Sequence, residues 1–273
     1  MKKSYKSVKK RDGKLGLNAA RSGVMAAVIG AVMAAESSLA FAGAPCPKDI
    51  KIGWEEYKPY QFEDGGVVTG SDMEAFEAVM KEIGCPFKAE KTPWDRTLME
   101  IESGQKMFAA GATMTVERRK YSFFTEPYDV EKIYPYVLKK NLKSMKMGSV
   151  AEVLAAGLKI VITSGASYGD EFDGLLKDGK LVKGKNLFEA AAEKQAGAMI
   201  AIGRADIYLA SGEGLVFHPD IVNGKTPLFV TETRFMISKK SSNEAFLKQV
   251  NGAIASLTKD DTFKKIKKKY FSN

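Results

Sequence analysis

Two long extended runs interrupt an otherwise regular alternation of strand-like and helix-like segments, and they restrict the possible folds of this chain more than any other feature. The alternation opens at Ile50 to Trp54, a short apolar run that reads as a strand. After a polar turn at Glu63-Asp64-Gly65-Gly66, a helix is predicted from about Ser71 to Ile83, where Met73, Phe76, Met80 and Ile83 form one apolar stripe. Gly84 stands where such a helix ends. Phe87 to Lys91 reads as the next strand, Trp94 to Ser103 as the next helix, and Met107 to Ala110 as a third strand leading into Gly111. This is the pattern of an α/β domain.

The first extended run, Ile133 to Lys139, reads as a crossing into a second unit, where the alternation restarts. A helix near Val150 to Ala156, a strand Lys159 to Thr163, a helix Tyr168 to Lys177, a helical region within Leu187 to Ile202 and a strand Asp206 to Ala210 are predicted there. The second run, Pro227 to Ile237, returns the chain to the first unit. That unit is completed by a helix from Asn243 to Leu257, with Phe246, Leu247, Val250, Ile254 and Leu257 on one side, and by another from Thr262 to Phe271. Two crossings predict two lobes joined by a two-strand hinge, the first lobe split as 43–132 and 231–273 and the second spanning 133–230. A cleft between lobes is where a ligand is expected.

The first 42 residues have the layout of a secretory leader: a basic stretch, an apolar run from Val24 to Ala35, and small residues ending in Ala40-Phe41-Ala42, with cleavage expected before Gly43. The apolar run is shorter than the ~20 residues that span a bilayer, which argues against an uncleaved anchor. Lipid attachment at Cys46 is the other alternative, and Pro45 argues against it. The leader's eight basic and two acidic residues account for +6 of the chain's +9, leaving +3, so the pI near 9.2 gives no ground for a nucleic-acid or membrane partner. A run of lysines from Lys264 to Lys269 surrounds Phe263, Ile266, Tyr270 and Phe271 at helical spacing and reads as a solvated face.

Cys46 and Cys85 each precede an extended run. If those runs are neighbouring parallel strands, the thiols lie at one end of the sheet and could bridge, as an exported chain permits; two buried free thiols are the competing reading. His218 is the only histidine, so neither a zinc site nor a histidine-based triad is expected, and no phosphate-binding glycine loop of the G-x-x-x-x-G-K type occurs. No cofactor and no metal are expected.

After the leader the arginines are Arg96, Arg118, Arg119, Arg204 and Arg234, against 29 lysines. Where lysine is the default cation, an arginine suggests a need for its planar fork, which matches a carboxylate. In Ala110-Gly111-Ala112-Thr113-Met114-Thr115-Val116-Glu117-Arg118, Gly111 lets a ligand approach bare backbone, Thr113 offers a hydroxyl and an N–H, and Arg118 can clamp an anion. An ordinary strand-to-helix turn with a capping threonine would look the same.

That segment, followed by Phe123-Phe124-Thr125-Glu126-Pro127-Tyr128, resembles the G-x-T-x-T-x-E-R…F-S-x-P-Y signature of family 3 of the extracellular solute-binding proteins. The likeness runs from about Ile50 to Phe271 and takes in Lys58-Pro59-Tyr60-Gln61-Phe62, Ser164-Gly165, Gly203-Arg204-Ala205-Asp206 and Tyr270-Phe271. It implies a type II periplasmic binding protein fold, two-lobed with an inter-lobe cleft, acting as a monomer that passes a small polar, carboxylate-bearing solute to the inner-membrane permease of an ABC transporter. The resemblance also implies that Arg118 and backbone near Gly111 and Thr113 hold the carboxylate, and that Tyr57 and Trp94 sandwich the side chain. Ser167 and Tyr168 would lie at a helix N-terminus facing an anion. Trp54 and Arg96 are further candidates. Two departures stand out. Ser211, followed by Gly212 and Glu213, occupies the place where many such receptors carry an aspartate for an α-ammonium group, so Glu213 substitutes or the ligand lacks that group. Gly104-Gln105-Lys106-Met107 replaces a common Gly-Lys-x-Asp.

Three functions compete on this reading: a transport receptor without turnover, a dehydratase-like enzyme on the same scaffold, and a sensor acting on a separate membrane protein. The enzyme would need a buried general acid, for which Glu213 and Glu56 are the candidates.

Overall fold

The computed structural model describes residues 45–212 and 218–271; the predicted leader with its cleavage point and Glu213 lie outside the described residues. The chain opens with β1 (Ile50–Trp54), β2 (Phe62–Asp64), β3 (Val67–Thr69), α1 (Ser71–Glu82), β4 (Phe87–Lys91), α2 (Trp94–Ser103), β5 (Phe108–Ala112), α3 (Val116–Tyr121) and β6 (Ser122–Phe124). The long β7 (Asp129–Leu138) leads into α4 (Val150–Ala155), β8 (Ile160–Thr163), α5 (Asp170–Lys177), β9 (Leu187–Ala190), α6 (Glu193–Ala201), β10 (Ile207–Ser211) and β11 (Ile221–Asn223). β12 (Phe229–Ser238) returns, and α7 (Glu244–Lys259) and α8 (Thr262–Phe271) follow.

The main strand order is β4-β1-β5-β12-β7-β10-β8-β9. β1 pairs in parallel with β4 and β5, and β8 pairs in parallel with β9 and β10. Between these parallel halves run the two ten-residue crossing strands, antiparallel to each other over Phe229↔Ile133 to Thr233↔Asp129. From Arg234 onward β12 leaves β7 and pairs with β5. The crossing strands are thus the hinge of a two-lobed α/β fold.

Each half buries its own core. Around β1 and β5, Phe76 of α1 is fully buried and meets the rings of Phe87, Phe108 and Phe235 at centroid distances of 4.9, 4.9 and 5.5 Å. Phe246, Val250, Ile254 and Leu257 of α7 close that core. Around β8, the cluster of Ile160, Ile162, Phe172, Leu187, Ile207 and Leu209 forms the second. Cys46 and Cys85 are bridged, tying the segment before β1 to the turn that precedes β4.

Three segments differ from expectation. Leu187–Ala190, predicted within a helical region, is a parallel edge strand on β8, and the helix begins only at Glu193. Leu187 and Ala190 are both buried three residues apart, the spacing of one helix face, so the local pattern favoured a helix and only the pairing with β8 makes the segment a strand. The polar turn at Gly65-Gly66 joins a small hairpin, β2 with β3, both glycines taking positive φ as a two-residue hairpin turn requires. The first crossing begins at Asp129, four residues before the predicted Ile133.

Candidate functional site

β5 ends against the gap between the halves, and its last turn sets up the most unusual side chain in the protein. Thr115 caps α3, its Oγ1 accepting the Arg118 N–H at 3.1 Å, so the capping-threonine reading and the arginine-clamp reading describe the same turn. Arg118 then points inward with 5 % of its surface exposed. Its Nη1 donates to the Thr113 carbonyl at 2.7 Å and its Nη2 to the Gly165 carbonyl at 2.8 Å, while the guanidinium stands 5.4 Å from the centre of the Trp94 ring. None of its described hydrogen bonds goes to a carboxylate, and burial pulls its pKa down. A buried cation held by two carbonyl dipoles and a ring face, with Asp173 the carboxylate whose charge acts on it but no described ion pair, is costly, and a carboxylate delivered by a ligand would offset that cost.

The cleft beside Arg118 is a small, partly open cavity of about 80 Å³. Tyr57, Trp94, Gly111, Thr113, Ser167, Tyr168 and Ser211 all line it with Arg118. Trp94 Nε1 donates to the Gly165 carbonyl at 3.3 Å, and the Ser211 N–H donates to Tyr57 Oη at 2.9 Å, so both aromatics of the first half are bonded to backbone of the second. Tyr57 also stacks on Tyr60 at 5.2 Å. The Gly111 N–H donates to Tyr128 Oη at 2.8 Å, and the Thr113 hydroxyl takes one from Thr231 at 3.3 Å.

Other expectations land elsewhere. α5 starts at Asp170, two residues beyond Tyr168, and its first turn already carries Asp170, Glu171 and Asp173, with Ser167 Oγ donating to Asp173 at 2.8 Å. The Tyr168 ring packs between Phe172 and Phe229 while its hydroxyl reaches the Leu209 carbonyl at 2.7 Å. Trp54 is buried in the first core beneath Lys91, and Arg96 is exposed and paired with Glu100 on its own helix. Glu56 pairs with Lys91 at the surface, and Glu213 lies outside the described residues. Lys106, part of the second departure, is buried between Glu90 and Glu100 at the entry to β5, away from the cleft.

The sequence reading passed over the cleft's acids. Glu55, Asp72 and Glu131 line it. Asp72, at the start of α1, accepts from Tyr128 Oη at 2.9 Å and from Gln61 Nε2 at 3.4 Å; burial, reinforced by the charge of Glu131, pushes its pKa well up. Burial lifts Glu55 and Glu131 to about 7, and Glu193, facing Glu55 and Glu56, to about 8. These groups keep protons in the folded protein that the unfolded chain sheds above about pH 4.5, so each favours folding at low pH and loses that contribution as pH rises through 7 to 8. The surface acids with lowered values, such as Glu90 and Glu100, act at the opposite end, losing their contribution only below about pH 4.5. The ligand-free protein is therefore expected to melt at falling temperature between pH 5 and pH 8; a flat or rising profile would contradict the burial of these acids.

Gly111 adopts φ of 69°, and a Cβ there would lie 2.7 Å from Asp72 Oδ2. Gly111→Ala is expected to weaken ligand binding more than tenfold and to cost about 2 kcal/mol of stability, combining left-handed strain with the displaced carboxyl. Calorimetry and urea unfolding check the two effects.

A hinged pair of α/β halves with a buried, uncompensated guanidinium facing the gap between them defines a solute receptor. Residues 50–273 match the bacterial extracellular solute-binding proteins, family 3, and the chain belongs to that family. It is 26 % identical over 228 residues to the probable amino-acid-binding protein YxeM of Bacillus subtilis (strain 168), covering 78 % of this chain and 80 % of that one. It is also 26 % identical over 263 residues to the L-cystine-binding protein TcyJ of Escherichia coli (strain K12), covering 91 % and 93 %. Among solved structures, a mutant of ArgBP from T. maritima superposes with a TM-score of 0.67 at 18 % identity, over 82 % of this chain and 95 % of the other. That last likeness concerns the fold.

Proposed function

We propose that this protein is a periplasmic receptor that closes around a small carboxylate-bearing solute, an amino acid or a related acid, and delivers it to the permease of an ABC importer in the inner membrane. The observation that carries the reading is the Arg118 guanidinium, buried beside the cleft, whose hydrogen bonds among the described residues go to the Thr113 and Gly165 carbonyls, one from each side of it. A carboxylate arriving there completes both the charge and the fork, and Tyr57 and Trp94 flank the rest of the solute. Because Arg118 and Trp94 both reach Gly165, and Tyr57 reaches Ser211, solute binding and lobe closure use the same groups. In this reading residues 1–42 are removed on export, the lobes are 43–132 with 231–273 and 133–230, and the receptor works as a monomer without a cofactor. YxeM and TcyJ, named for amino-acid and cystine binding, support the choice of solute.

The test is a thermal-shift screen of purified protein against the standard amino acids, L-cystine, keto acids and small amines, with a product assay on every hit. A carboxylate-bearing solute present at 100 times its Kd adds about 2.7 kcal/mol to stability. Stabilisation by an acid that is recovered unchanged fits the receptor. Stabilisation by amines alone contradicts the site, and turnover of the hit would make the protein a dehydratase-like enzyme.

A further inference from the structure

We infer that Glu131 is the anionic pole of the cleft and takes the ammonium group of the solute, which makes that solute an amino acid and leaves keto, hydroxy and other acids without a cationic group as weaker ligands held by Arg118 alone. The inference rests on the reading of Arg118 as the carboxylate clamp and adds the opposite pole to it. Glu131 sits on the hinge strand β7 with 9 % of its surface exposed, lining the same cleft as Arg118. No described lysine or arginine forms an ion pair with it. Lys267 on α8, whose charge acts on it, is already bonded to Asp129 and to the Val130 carbonyl. The remaining charged neighbours, Asp72 on α1 and Asp129 on its own strand, are both acidic.

Ser211 on β10 donates its hydroxyl to Glu131 Oε2 at 2.6 Å, and Thr233 on β12 also faces it. Ser211 is the residue that replaces an expected aspartate, and its hydroxyl leads directly to a carboxylate on the adjacent strand. The other two acids are differently placed. Both oxygens of Asp72 are held by Tyr128 and Gln61, and Glu55 accepts the Trp94 N–H at 3.0 Å, at the start of α2. Glu131, whose described hydrogen bond comes from the Ser211 hydroxyl, lacks the helix-start N–H that compensates Glu55. A cleft lined by a buried cation and a buried acid, neither ion-paired among the described residues, is matched by a zwitterion; a plain carboxylate would satisfy only Arg118. In the empty cleft burial keeps a proton on Glu131, and an arriving ammonium displaces that proton to solvent.

Titration calorimetry tests this with the best-binding member of the standard amino acids and L-cystine, alongside its α-hydroxy counterpart. Glu131→Gln, which keeps an oxygen for Ser211, is expected to lose at least about 100-fold in affinity for the amino acid while holding the hydroxy acid within about threefold of wild type. Wild-type binding at pH 6, compared in buffers of different ionisation enthalpy, is expected to release protons, a readout that requires no variant. Amino-acid affinity within threefold of wild type in Glu131→Gln, or no proton release, overturns the inference and leaves the carboxylate clamp standing. A wild-type protein that binds hydroxy acids but no amino acid overturns it as well. Loss of both ligands in Arg118→Ala, measured in parallel, keeps failure of the clamp distinguishable from failure of this second pole.

Discussion

Arg118→Ala is expected to lose carboxylate binding by at least 100-fold, roughly 3 kcal/mol or more, in titration calorimetry. The guanidinium is the only described cation lining the cleft, and it is held in place by two carbonyl bonds and the Trp94 face. Arg118→Lys is expected to fail almost as badly, since a single ammonium cannot keep both carbonyl bonds and also grip two carboxylate oxygens. The ligand-free variant should nevertheless fold. Removing a buried cation without a carboxylate partner relieves a desolvation cost, which offsets the lost hydrogen bonds and leaves stability within about 1 kcal/mol of wild type. Lys264→Ala is the control: its side chain is 81 % exposed and paired with Asp261, and binding should be unchanged. Undiminished affinity in Arg118→Ala would remove the site.

The largest effect on stability is expected at Phe76. Its ring is fully buried and touches β4 through Phe87, β5 through Phe108 and β12 through Phe235. Phe76→Ala leaves a cavity bounded by three strands of one sheet, which cannot collapse to fill it, and should cost about 3–5 kcal/mol. Urea unfolding followed by tryptophan fluorescence would measure it, and a cost below about 1 kcal/mol would mean that this core is not packed as described. Where the variant remains folded, ligand affinity should be little changed, because Phe76 does not line the cleft.

Elements with a clean period were legible in the sequence: β1, α1, β4, α2 and the last two helices stand within a residue or two of their predicted bounds. The hinge was not legible at its start, and the reason lies in the cleft. On β7 the acid Glu131 turns inward while Val130, its neighbour, is 48 % exposed, and on β12 Thr231 and Thr233 are buried while Val230 is 60 % exposed. Both strands invert the usual apolar-in, polar-out alternation where they face the site, so a hydrophobicity pattern hides the residues that matter. Read in reverse, that inversion is the signal that could have found Glu131. Asp72 was hidden differently: an aspartate in the first turn of a helix reads as a solvated dipole partner, and only the fold buries it beneath Tyr128 and Gln61. Arg118 closes the segment that resembles the family's signature, and Tyr57 and Trp94 were expected from the places that resemblance gives to cleft aromatics; all three line the cleft, whereas the further candidates Trp54 and Arg96 face the first core and the solvent.

The most direct test of the central claim, that Arg118 grips the acidic end of a solute between the lobes, is a crystal structure of the protein with the amino acid selected by the thermal-shift screen. The account predicts both carboxylate oxygens within hydrogen-bonding distance of the Arg118 guanidinium, with the rest of the molecule between Tyr57 and Trp94. A solute bound with its carboxylate turned away from Arg118, or bound outside this cleft, would contradict it.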